Sequence, residues 1–132
     1  MTSSANNPAL QQKKEPAVLN HASLVTLARG IGKEDLKGLE FIMYLNIPAK
    51  FIINCAAEIT ETPLTAEGSE YNKMAVTQSC LMYWKELTKD TKTKERLKSL
   101  ERALREIGKG DIADQVLENH QANQELSSEI FA

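Results

Sequence analysis

The sequence predicts an all-α fold, and three observations predict it. Apolar residues recur at helical spacing in six successive stretches, no stretch reads as a strand, and the connections are short. The strongest signal is Thr93 to Leu117, where Leu97, Leu100, Leu104 and Ile107 fall at i, i+3, i+7 and i+10 with Ala103 beside them. That spacing puts one apolar stripe on a helix whose other faces are charged. Gly108-Lys109-Gly110 then supplies a left-handed helix end, and Asp111 is placed to accept the free amides of the helix that follows. Ile112, Val116 and Leu117 give that last helix its own buried edge. Two helices joined by a tight turn are the part of the chain on which everything upstream should pack.

The upstream elements follow in order. Residues 1 to about 19 are rich in Asn, Gln, Ser and Lys with two prolines, too poor in large apolar groups to offset the entropy of ordering them. A flexible arm is expected over 1–20. In the first helix, from His21, Leu24, Leu27, Ala28 and Ile31 share a face, and Gly32 stands where it could end. Lys33-Glu34-Asp35 should open the second helix, its acidic residues in the first turn where they suit the dipole. Its expected inner stripe is Leu36, Leu39 and Met43, and Phe41, Ile42, Tyr44 and Leu45 make it apolar on more than one side. If that stripe is inward, Phe41 or Tyr44 could be left exposed as a contact patch, although core membership is the plainer reading.

Pro48 suits the first position of the third helix, where its missing amide would be unpaired anyway. Phe51, Ile52, Cys55, Ala56 and Ile59 mark that helix's buried side. A polar loop with Pro63 and Gly68 leads to the fourth helix at Ser69 or Glu70, with Met74, Thr77, Leu81, Trp84 and Leu87 expected inward. The domain expected from this pattern is 21–120, with a C-terminal tail over 121–132 where periodicity is lost.

Composition sets limits on function. At 132 residues, 42% hydrophobic, 26% charged and a net charge of −2, the chain fits one soluble domain with a sizeable core. No apolar run approaches the roughly 20 residues that cross a bilayer, and the polar N-terminus lacks a signal-peptide pattern. A cytoplasmic location is expected. Cys55 and Cys80 lie in apolar helical patterns without metal-ligand spacing, so buried reduced thiols are expected, with no metal and no cofactor. His21 and His120 lie far apart in sequence, and no phosphate loop or nucleophile motif accompanies them, so the chain is not expected to be an enzyme.

Taken together, three segments resemble the death domain, the six-helix module of apoptotic and innate immune signalling. LVTLARGIGKEDLKGLEFIMYLNI resembles that family's first helix, turn and second helix. CLMYWKEL is similar to its fourth helix, with a tryptophan near the end, and LKSLERALREIGKGDIADQVLE to its leucine-rich fifth helix, tight turn and sixth helix. The resemblance covers roughly 21–120. It departs from the family at Leu36, which follows Asp35 where the family commonly has tryptophan, and in a long loop before the fourth helix. The resemblance implies a six-helix antiparallel bundle in Greek-key order. It also implies an adaptor or receptor segment that binds other death-domain proteins, with self-association possible. Death effector and caspase recruitment domains share that topology.

Charge patterning nominates surfaces. Basic residues outnumber acidic ones from Lys89 to Lys109, and no Lys or Arg follows Asp111, so a basic helix face and an acidic C-terminal segment could pair between copies or with a partner. The partner-binding candidates on those elements are Lys98, Arg102, Arg105, Lys109, Asp111 and Asp114. Lys33 and Lys37 join them because, in the resembling family, charged residues near the start of the second helix meet a partner's helices. For each, a solvated surface charge is the plain alternative. A DNA-binding helix-turn-helix built from the last two helices is the alternative function, with the acidic start of the final helix against it.

Overall fold

The computed structural model describes residues 15–34 and 36–131, so most of the expected flexible arm (1–14), Asp35 and the last residue lie outside the described residues. Among those described there are six α-helices and no strand. They are α1 (His21–Gly32), α2 (Lys37–Tyr44), α3 (Ala49–Ile59), α4 (Glu70–Leu87), α5 (Thr93–Glu106) and α6 (Gly110–Ala122), with short 3-10 turns at Ala17–Leu19 and Ser128–Phe131.

Helix ends follow local chemistry. The Asn20 side chain caps α1 by accepting the Ser23 amide at 2.8 Å. At the end of α5, Gly108 is left-handed (φ +81°). Its amide bonds to Arg105 O at 3.0 Å, and the Lys109 amide reaches back to Leu104 O at 2.8 Å. The same pair of bonds closes α2 at Asn46 (φ 66°) and α6 at Asn123 (φ 53°), where asparagine takes the role of glycine. Two expectations are corrected here. Helix α2 begins at Lys37, four residues later than expected, and Glu34 sits in the preceding bend. Asp111 does not cap α6: Lys109 holds the cap position without a side-chain bond, and Asp111 lies in the first turn, favourable to the dipole.

The core forms around α4, which packs on α1, α2 and α3, while α5 packs on α6 and α2. Leu97, Leu100, Ala103, Leu104 and Ile107 are all buried, as the spacing predicts, and so are Leu24, Leu27, Ala28 and Ile31 on α1 and Leu81 and Trp84 on α4. On α2 the phase is different from that expected. Phe41 and Ile42 are fully buried with Leu45 just beyond them, whereas Met43 and Tyr44 are 52% and 43% exposed. Leu87 is also exposed, because α4 outruns the core in its last turn. Helix α3 is peripheral: Ile52 is its one buried residue, while Phe51, Cys55, Ala56 and Ile59 pack half-buried against the cluster. Its register on α4 is set by Phe51, which stacks on Tyr83 with centroids 3.9 Å apart and planes 15° from parallel. With Cys55 beside Cys80, the contacts advance along α3 as they go back along α4, so the two helices are antiparallel. One turn further in, Cys55 comes opposite Cys80, and both are free thiols.

The boundaries 21–120 are too narrow for the packed unit. Val18 and Leu19 are fully buried, Leu126 is buried, and Ile130 and Phe131 pack on the core. Ser23, itself buried, joins the two terminal segments: its hydroxyl donates to Ala17 O at 2.7 Å and accepts the Leu126 amide at 3.0 Å. The Asn20 side chain meets Glu125, and Asn119 Nδ2 donates to Glu125 O at 2.8 Å. Neither segment has helical periodicity; each contributes a few large apolar groups to a hole the helices leave.

Candidate functional site

The candidate residues fall into two groups. Lys33, Lys37, Lys109 and Asp111 converge at one end of the bundle, where the α1–α2 turn meets the α5–α6 turn. Lys33, Glu34, Lys109 and Asp111 line a hollow of about 130 Å³ that is floored by Gly30, Ile112 and Phe131. Topology brings these residues together, since the two turns are 70 and more residues apart in sequence. The Lys109 ammonium pairs with the Glu34 carboxylate at 2.6 Å. Lys37 Nζ donates to Ile107 O at 2.9 Å, placing a cation on the carbonyl end of α5. Lys37 and Lys109 therefore hold the two turns together, and Lys33 and Asp111 remain exposed at the corner.

The second group lies along α5. Lys98, Arg102 and Arg105 sit at i, i+4 and i+7 on one exposed face. Arg105 is engaged inside the molecule, its Nη2 on Asp114 at 2.6 Å and its Nε on Glu101 at 3.0 Å. Asp114, then Glu101, hold the guanidinium's pKa above its ordinary value. The basic and acidic segments that the sequence offers for pairing between copies thus pair in part within one chain, through Arg105 and Asp114. Lys98 and Arg102 form no ion pair among the described residues.

Sequence reading missed Arg96 altogether. It lies between exposed Lys94 and Lys98, with nothing in the charge pattern to distinguish it. The structure buries it, only 4% exposed, on the face of Trp84, with its guanidinium carbon 5.7 Å from the ring centroid. Its Nε donates to Thr88 Oγ1 at 3.1 Å, and its Nη2 is buried without an acceptor among the described residues. Burial pulls its pKa down from the ordinary arginine value, and the nearby Glu15 carboxylate pulls the other way.

No described helix is long and apolar enough to cross a membrane. Comparison of the chain with protein-family models, with curated proteins and with solved structures finds no match.

Proposed function

We propose that this chain is a protein–protein interaction module of the death-domain type, with its helices in Greek-key order, acting as an adaptor or receptor segment that binds other death-domain proteins in apoptotic or innate immune signalling. The resemblance of α1–α2, α4 and α5–α6 to that family motivates the reading. The observation that carries it furthest is on α5: Lys98 and Arg102 are exposed one turn apart on a helix whose opposite stripe is wholly buried. A rigid helix bearing two uncommitted cations suits recognition of an acidic face on a second module. Arg105, exposed on the same face, is already engaged by Glu101 and Asp114, so the contact is drawn around Lys98 and Arg102. A cytoplasmic location accompanies this reading.

The helix-turn-helix alternative is weaker. Helix α6, which would enter the groove, exposes Asp111, Asp114 and Glu118 and carries no lysine or arginine.

The test is charge reversal. Lys98→Glu with Arg102→Glu should leave the circular dichroism spectrum unchanged and abolish capture by those members of a panel of purified death domains that bind the native chain, or its self-association in light scattering. A native chain that binds no panel member and does not self-associate would remove this reading, as would a doubly reversed variant that binds equally well.

A further inference from the structure

Away from the α5 face, a cleft of about 920 Å³ opens between the end of α4, the start of α5 and the segment entering α1. Arg96, Lys92, Thr93 and Lys85 form part of its wall, and Glu15 closes one side. We infer that this cleft is a binding site for a phosphate-type oxyanion, held by Arg96, Lys92 and the first amides of α5.

Two independent features converge on it. The first is the amino end of α5, a 14-residue helix whose cap residue, Lys92, makes no side-chain cap bond. The amides of Thr93 and Lys94 find no acceptor among the described residues, so they face the cleft as free donors, with exposed Glu95 in the first turn offsetting part of the helix dipole. The second is Arg96, one turn along the same helix. Its guanidinium is fixed at Nε by Thr88 and against Trp84, which leaves Nη2 as a buried donor with no acceptor among the described residues. A buried charged donor in that state destabilises the fold, and an anion supplying the missing acceptor would relieve the penalty.

The carboxylates nearby do not fill this role. Glu15 is engaged by Lys85 at 3.0 Å and Glu86 by Lys89 at 2.6 Å. Asp90 lies on the rim. Lys92, by contrast, has no ion pair among the described residues. Nη2 is already out of water, so a ligand reaching it need not strip its hydration, but must part the side chains around it.

Trp84 is the only tryptophan of the chain and lies under Arg96, so intrinsic fluorescence reads the site directly. The full chain is titrated with inorganic phosphate against chloride at constant ionic strength. In parallel, phosphatidylcholine vesicles with and without phosphatidic acid are added, to separate a free phosphate from a lipid headgroup. A saturable change is expected with phosphate, with phosphatidic acid vesicles, or with both. It should weaken roughly two- to fivefold in Lys92→Ala, a rim change that leaves the core intact, and roughly tenfold in Arg96→Lys. A response no different from chloride and plain vesicles, or a saturable one that Lys92→Ala leaves unchanged, would overturn the assignment.

Discussion

The ring of Phe131 lies on the backbone of Gly30, so close that a methyl group at residue 30 would overlap its edge. Gly30 is inside α1, where exchanging glycine for alanine ordinarily stabilises by about 1 kcal/mol. Here the sign should invert. Gly30→Ala must displace Phe131 and is expected to lower stability by about 1–3 kcal/mol in chemical denaturation. In a Phe131→Ala background the obstruction is gone, and the same substitution should stabilise. Destabilisation of equal size in both backgrounds would mean that the C-terminal turn does not rest on α1.

The peripheral helix offers a second test. Phe51 and Tyr83 form the aromatic stack that sets the register of α3 on α4. A double-mutant cycle with Phe51→Ala and Tyr83→Ala should return a coupling of about 0.5–1.5 kcal/mol beyond the separate losses of buried area. Additive losses would show that each ring is held by its other neighbours.

How far the fold was legible depended on whether one helix held one apolar stripe. Helix α5 has a single apolar stripe, and Leu97, Leu100, Ala103, Leu104 and Ile107 are buried as its spacing predicts. Helix α2 has two: Leu36, Leu39 and Met43 compete with Phe41, Ile42 and Leu45. The choice between them is tertiary: the observed rotation puts Gly38 on the buried side, closely against Gly32 and Thr77. The terminal segments lacked any period, so Val18, Leu19, Leu126 and Phe131 could not be assigned to the core without knowing the hole they fill. The candidate charges were legible as charges and not as pairs. Nothing in the sequence brings Lys109 to Glu34 or Lys37 to Ile107, since both contacts depend on how two distant turns meet. Arg96 is the clearest case, a basic residue in a run of basic residues whose distinction is wholly its burial.

Cys80 gives a pH dependence with a definite sign. Burial, reinforced by Cys55 opposite, raises its thiol from an ordinary 9.0 to about 12. Between those values the unfolded chain releases the proton that the folded chain keeps, so stability falls as pH rises. The contribution is fully present below about pH 9 and is lost progressively toward pH 12. Lysines and tyrosines titrate in the same range, so the informative quantity is the difference between the native chain and Cys80→Ala in urea melts across pH 8 to 11 (roughly the window set by that shift). The native chain should lose stability more steeply than the variant. Parallel curves would indicate that the thiol ionises as freely in the fold as outside it.

The corner that carries Lys33 and Lys37 depends on Gly38. A Cβ there would stand 2.7 Å from the Gly32 backbone Cα and would overlap the Thr77 hydroxyl, so Gly38→Ala must separate the end of α1 from α2 or push both away from α4. Destabilisation of about 1–3 kcal/mol is expected, a typical effect of overfilling a packed interior. The two obstructions respond differently to a second change. Thr77→Ala removes the hydroxyl, whose hydrogen bond is only to Lys73 O in its own helix, and makes room on that side. It cannot move the Gly32 backbone. Thr77→Ala should therefore recover part of the loss caused by Gly38→Ala, and the residue of the loss measures the helix-to-helix approach itself. Gly108→Ala is the control: it has the same nominal change at a left-handed residue (φ +81°) with nothing within 4 Å, so its loss should be indifferent to Thr77. Full rescue of Gly38→Ala by Thr77→Ala would show that the turn bearing Lys33 and Lys37 is not pinned by backbone contact.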